Sequence, residues 1–240
     1  TIKESDIIKV VEDMSGIPVS VIKSGNFDRL KTLKDELESR IIGQPEAIDS
    51  LSRVVKRSMV RLKEKKKPSV LFFAGPTGVG KTESAKILSK SLFGTKNLIR
   101  FDMSEFMEKH TISKLIGSPP GYVGYEEEGQ LTEQVRRNPY SIILLDEFEK
   151  SHQDIAALFL QVFDDGVLTD NKGRKIDFKN TLFILTSNIG TQSKTPLGFG
   201  ETNSHEKEKN KSINALKNTY APEFLNRIDD VVIFNALERQ

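Results

Sequence analysis

No cysteine occurs in the 240 residues, which excludes disulfides and Cys-ligated zinc. Histidine is scarce too. His110, His152 and His205 are far apart and lack metal-ligand spacing, so they read as surface or structural residues. Charge of one sign is also missing, since 36 basic residues face 34 acidic ones. That balance argues against a nucleic-acid binder working through bulk charge. No apolar run approaches the length of a membrane span, and the N-terminus lacks the basic-then-apolar pattern of a signal peptide. The expectation is a cytoplasmic protein with neither a nucleic-acid nor a membrane partner. The first residue is not Met, and the chain reads as a segment of a longer protein.

What is present is an alternation. Residues 1–25 form a short amphipathic piece ending in Ser-Gly-Ile-Pro and Ser-Gly, and read as a connector; residues 26–240 read as one large domain. Phe27, Leu30, Leu33 and Leu37 fall at a helical period over 26–40. Ile48, Leu51, Val55 and Met59 do the same over 46–62. Five apolar runs follow, at 70–74, 98–102, 142–145, 181–186 and 231–234, with helices expected at 82–93, 131–137, 153–163 and 206–220. Strands alternating with helices imply a mostly parallel five-stranded sheet covered on both faces, an α/β fold. Within 166–178, Asp170-Asn171-Lys172-Gly173 signals an inserted β-hairpin. The polar stretch 201–211 reads as a mobile loop or a helix start.

The stretch "GPTGVGKT" (residues 75–82) follows the first apolar run and satisfies G-x-x-x-x-G-K-[ST] in full. Gly75, Pro76, Thr77, Gly78, Val79 and Gly80 form a loop whose glycines let backbone N–H groups converge on phosphate oxygens. Lys81 can reach the β- and γ-phosphates of ATP, Thr82 can ligate Mg²⁺, and the following helix points its N-terminus at the anion. The bland alternative is a chance glycine-rich turn. At 142–147, four apolar residues end in Asp146-Glu147, at the strand end where open α/β sheets bind ligands. Asp146 would hold Mg²⁺ through water, and Glu147 would polarise the attacking water. An acidic pair at a helix N-terminus is the alternative there. Asn188 ends a further strand and could orient water and sense the γ-phosphate; a turn-forming Asn is as good a reading of the local sequence.

Together these residues resemble the AAA+ P-loop ATPases. "SGIPVS", "IIGQPEAI", "FDMSEFMEKHT", "LIGSPPGYVGYEE", "LLDEFEK", "LTDNKGRKIDFKNT" and "FLNRID" resemble one branch more closely: the second ATPase module of the Clp unfoldases and disaggregases. The resemblance runs from about Ser15 to about Leu237 and implies the large α/β subdomain of that module. The chain stops just after the expected last strand, so no counterpart of the family's small helical lid is expected. The resemblance further implies that Ile41 and Ile42 pack the adenine of ATP or ADP. It makes Arg227 an arginine finger for the nucleotide of a neighbouring subunit, in a homo-hexamer. From the residues alone, Arg227 could equally pair with Asp229 or Asp230.

Gly121, Tyr122, Val123 and Gly124 resemble the family's pore loop, where a mobile aromatic grips an unfolded or tagged protein chain. A Pro-Pro-Gly turn with a buried Tyr is the alternative. Glu128 stands where the family commonly has glycine and is expected to stiffen the loop base. Leu197, Gly198 and Phe199, in a polar stretch, resemble the tripeptide with which ClpA- and ClpC-type unfoldases dock on a ClpP-type peptidase, and which ClpB-type disaggregases lack. A loop folding these apolar residues back onto the domain is the alternative. The expected activity is therefore ATP hydrolysis coupled to protein unfolding, with a peptidase and adaptor proteins as partners. The rivals are a ClpB-type disaggregase, a nucleic-acid-remodelling AAA+ motor and an inactive nucleotide-binding scaffold.

Overall fold

The periodic segments become layers in a computed structural model, which describes residues 3, 6–7, 10, 26–61, 66–94, 97–122, 125–189 and 204–237. Helices α1 (Asn26–Arg40) and α2 (Pro45–Arg61) come first. The strands are β1 (Ser69–Ala74), β2 (Leu98–Asp102), β3 (Ile142–Asp146), β4 (Val167–Thr169), β5 (Lys175–Asp177), β6 (Leu182–Ser187) and β7 (Asp230–Ile233). Five of them form one sheet in the order β2-β3-β6-β1-β7. Every pairing in it is parallel, so the sheet expected to be mostly parallel is wholly so among the described residues.

Parallel neighbours need crossovers, and helices supply them. Helix α3 (Lys81–Leu92) links β1 to β2, and α4 (Ile112–Ile116) with α5 (Gln130–Arg137) links β2 to β3. Helix α6 (Gln153–Asp165) and the β4–β5 hairpin precede β6. Helices α7 (Ser204–Thr219) and α8 (Pro222–Leu225) precede β7. Because helices cover both faces, β1, β3 and β6 are buried at every position, which is why their sequences are unbroken apolar runs. Edge strand β2 alternates instead, with Ile99 and Phe101 inward and Arg100 outward.

The strand period of two sorts side chains between two cores. Val70 and Phe72 join Phe159, Phe163 and Phe183 on one face. Leu71 and Phe73 join Leu33, Leu37, Ile48 and Leu51 from α1 and α2 on the other. Within the first core, Phe148 stacks on Phe224 with centroids 5.3 Å apart, and Phe163 meets Phe183 edge-on at 5.0 Å. Such pairs add about 0.5–1.5 kcal/mol each beyond their buried area. The first fastens α8 to the turn after β3, and the second fastens α6 to β6.

Helix α1 has the expected bounds, and the other long helices begin and end within two residues of expectation. The stretch 201–211 is corrected in part. Helix α7 begins at Ser204, so the helix-start reading holds from there and the mobile-loop reading does not. The sequence missed α4, α8 and three 3₁₀ turns (Met103–Phe106, Lys109–Thr111 and Phe148–Lys150). Each is too short to carry a periodic signal. The hairpin stands where Asp170-Asn171-Lys172-Gly173 signalled it, antiparallel, with Asp170 Oδ1 accepting the N–H groups of Lys172 and Arg174 at 2.9 and 2.8 Å. Of the connector, only residues 3, 6–7 and 10 are described.

Candidate active site

The glycine loop between β1 and α3 is shaped by its neighbours. A Cβ on Gly75 would stand 2.4 Å from the carbonyl oxygen of Phe234, just past β7. Gly80 sits at φ +102°, a left-handed conformation that favours glycine, and a Cβ there would meet Ile41 at 3.2 Å. Gln44 fixes this wall: its Nε2 donates to the Asn235 carbonyl at 2.7 Å, and its Oε1 accepts the Asn235 N–H at 2.9 Å. Ile41 is buried beside the loop, whereas Ile42 is 82% exposed.

Lys81 folds back over the loop. Its Nζ donates to the carbonyls of Gly75 (2.5 Å) and Pro76 (2.6 Å) and to Asn188 Oδ1 (2.8 Å). Burial pushes its pKa down to about 8, against the opposing pull of the Glu149, Asp146 and Glu147 carboxylates. A phosphate in the cleft would restore the charged form. Lys81 is protonated below about pH 8, so nucleotide affinity should be flat there with respect to this group. Above it, binding must take up a proton, and affinity should fall towards about tenfold per pH unit. Calorimetric titration of ADP at pH 7 and pH 9 should differ by about tenfold. Proton uptake should appear only at the higher pH. Equal affinities would mean that Lys81 keeps its proton through pH 9 in the empty cleft.

Asp146 and Glu147 emerge at the C-terminal end of β3. Asp146 is buried and accepts from Thr186 Oγ1 (2.5 Å), Arg100 Nη2 (2.8 Å) and Thr82 Oγ1 (3.2 Å). A carboxylate and a hydroxyl converging at the N-terminus of α3 are hard oxygen donors that fit Mg²⁺. Glu147 is the one non-glycine with positive φ among the described residues, at φ 55° and ψ 48°. Its N–H donates to Thr186 Oγ1 at 3.1 Å, and its carboxylate accepts from Lys150 Nζ at 2.5 Å. Strained backbone of this kind costs about 1–3 kcal/mol and concentrates at functional sites.

Thr77, Gly78, Gly80, Lys81, Thr82, Asp146, Glu147 and Asn188 line one cleft of about 440 Å³. Sequence reasoning missed Lys86, Arg100, Asp102 and Thr186, which share its walls. Arg100 had one available signal, a lone cation between the apolar residues Ile99 and Phe101 of a strand. Among the described residues Arg227 does not line this cleft. The partners anticipated for it are corrected. Arg227 Nε pairs with Asp164 at the end of α6, while Asp229 accepts the Val70 N–H and Asp230 pairs with Arg57. Register of β7 against β1 draws those two acids away from it.

The remaining expected residues lie apart from the cleft. Tyr122 is 71% exposed, against the buried-Tyr alternative, whereas Val123 and Gly124 fall outside the described residues. Gly117 and Glu128 form a bridge at the base of this loop, and the Glu128 carboxylate accepts from Lys172 and Arg174 of the hairpin turn at 3.2 and 3.0 Å. Leu197, Gly198 and Phe199 lie outside the described residues. His110 is exposed, and His152 caps α6 by accepting the Asp154 N–H at 3.1 Å. No group of three or more His, Cys, Asp or Glu side chains placed to hold a metal occurs among the described residues, and no described helix is long and apolar enough to cross a membrane.

Comparison with known proteins adds family information to this geometry. Residues 66–231 match the family described as AAA domain (Cdc48 subfamily). The chain is 53% identical to "Chaperone protein ClpB" of Clostridium tetani, over 98% of this chain and 27% of that protein. It is 50% identical to "Negative regulator of genetic competence ClpC/MecB" of Bacillus subtilis, over 98% of this chain and 30% of that protein. It is 49% identical to "ATP-dependent Clp protease ATP-binding subunit ClpC" of Staphylococcus saprophyticus, over 100% of this chain and 30% of that protein. The chain thus spans less than a third of the length of these curated relatives.

Proposed function

Because the chain belongs to the AAA domain family (Cdc48 subfamily), we propose that it is the ATP-hydrolysing large subdomain of a Clp-type, ring-forming protein unfoldase. The observation that carries this reading is one cleft lined by Lys81, Thr82, Asp146, Glu147 and Asn188, with Arg227 outside it. In this reading Lys81 exchanges the Gly75 and Pro76 carbonyls for phosphate oxygens. Thr82 and Asp146 hold Mg²⁺, which supplies charge neutralisation to the phosphates. Glu147 leaves Lys150 and accepts a proton from the attacking water. Asn188, released from Lys81, meets the γ-phosphate. Arg227 serves the next subunit's nucleotide in a homo-hexamer, and Ile41, with Ile42, lies against the adenine. Residues 1–25 connect to a preceding module.

The load is polypeptide, gripped by exposed Tyr122 on a loop tied through Glu128 to the hairpin. We read the output as delivery to a ClpP-type peptidase in the cytoplasm, on the strength of the Leu197-Gly198-Phe199 tripeptide and the relatives named ClpC. A ClpB-type disaggregase is the second reading, favoured by the 53% identity to a relative of that name. A degradation assay separates the two in a ring-forming protein that carries this domain, with a ClpP-type peptidase present. Tyr122→Ala should lower both unfolding and degradation by about tenfold, as loss of an aromatic anchor does. Leu197→Ala/Phe199→Ala should abolish degradation alone. Unchanged degradation by the double variant would end the docking reading of the tripeptide, absence of degradation by the unaltered protein would favour the disaggregase, and unchanged unfolding by Tyr122→Ala would end the pore-loop reading.

A further inference from the structure

Glu149 has no part in the mechanism above, yet it is the carboxylate whose charge acts most strongly on Lys81, ahead of Asp146 and Glu147. It lies in the 3₁₀ turn Phe148–Lys150, which the left-handed backbone of Glu147 starts. That turn sends its three side chains in three directions. Phe148 stacks on Phe224 in the core, and Lys150 reaches back to Glu147. Glu149 crosses to the end of β6, where its Oε1 accepts the N–H of Asn188 at 3.0 Å. The register of β6 on β1 ends at Ser187, opposite Ala74, so the Asn188 N–H lies just past the last ladder position and takes a side-chain acceptor instead.

The other oxygen of Glu149 is less comfortable. Its Oε2 is buried without a hydrogen-bond partner among the described residues. Burial pushes the ionisation of Tyr220 upward, and the nearby Glu149 charge pushes it the same way. A half-buried carboxylate with one oxygen unpaired is a poor stabilising device, because desolvation is only partly offset. A buried oxygen left unpaired in this way calls for an explanation. The bond Glu149 does make is to the backbone of the residue that holds Lys81.

We propose that Glu149 is the positioning residue for Asn188. It fixes where the Asn188 amide stands relative to Lys81, and so sets how strongly the cleft favours ATP over ADP. The inference rests on reading Asn188 as the γ-phosphate sensor. Lys81 spans the cleft to Asn188 Oδ1 at 2.8 Å, and a shift of the Asn188 peptide would move that amide out of line with a terminal phosphate. The diphosphate, which has no atom there, would be indifferent to the shift.

The test uses this chain with Mg²⁺ and two probes, ADP and a non-hydrolysable ATP analogue, titrated by calorimetry. Glu149→Met keeps the side-chain length and removes the acceptor. It should lower the analogue-over-ADP preference by about tenfold, the loss expected for a hydrogen bond to a charged group, with ADP affinity equal to that of Glu149→Gln, which loses the same charge beside Lys81. Glu149→Gln retains Oε1 and should restore the preference. An equal weakening of both nucleotides, or an unaltered preference in Glu149→Met, would overturn the proposal. Asn188→Ala separates the two levels of inference. If it lowers the preference and Glu149→Met does not, the positioning role alone fails. If Asn188→Ala changes nothing, the sensor reading fails and the proposal with it. Amide exchange gives a reading independent of nucleotide. The Asn188 N–H should exchange slowly in the unaltered chain and in Glu149→Gln, and fast exchange in either overturns the proposal even if Glu149→Met does not fold.

Discussion

Glu147→Gln is expected to leave ATP bound and to cut its turnover by at least about 100-fold, the range of a lost general base. The substitution keeps volume and shape. The left-handed turn at φ 55° and its N–H bond to Thr186 Oγ1 should therefore survive, and with them Asp146, which the same hydroxyl holds at 2.5 Å. What disappears is proton affinity. In a ring-forming protein carrying this domain, steady-state phosphate release should fall while bound ATP, read by filter retention, persists. Undiminished hydrolysis would remove Glu147 from the chemistry and return the acidic pair to a structural role.

Arg227→Ala is expected to lower turnover by about 1,000-fold, within the range that arginine fingers contribute to phosphoryl transfer. Arg227 pairs with Asp164 and does not line the cleft of its own subunit. A mixing experiment makes the trans assignment falsifiable. Rings of Arg227→Ala subunits and rings of Glu147→Gln subunits should each be inactive. Mixed rings should regain activity at interfaces that pair an intact Glu147 with a neighbour's intact Arg227, roughly a quarter of them under random assembly. No recovery on mixing would place both residues in the same site.

The nucleotide cleft was readable to different depths. The residue types of "GPTGVGKT" and the apolar run ending in Asp146-Glu147 were legible because each is contiguous. A phosphate loop needs its glycines and lysine on one turn of chain, and a buried parallel strand needs every position apolar. Arg100, Thr186 and Glu149 were not legible. Their roles around Asp146 and Asn188 exist only through strand neighbourhood: β2 beside β3, β3 beside β6, and a short turn with no period of its own. Asp164 was missed for a similar reason. It ends a helix whose pattern announced only its buried face, whereas its ion pair with Arg227 depends on aromatic packing between α6 and α8.

The alternation of strands and helices, the position of the phosphate loop, the hairpin at 166–178 and the acidic pair at a strand end are written in short stretches of chain. All are local, fixed by periodicity or by a few adjacent residues. Tertiary structure alone decided that Lys81 meets Asn188, that Asp146 is shared by Arg100, Thr82 and Thr186, and that Arg227 turns away to Asp164. It also decided that Tyr122 is exposed while Ile41 is buried beside Gly80. Those facts depend on the order β2-β3-β6-β1-β7, in which strands distant in sequence become neighbours about 4.8 Å apart. Hydrogen bonds and ion pairs reach little further than that, so only the crossovers that set the strand order could bring these side chains into one site.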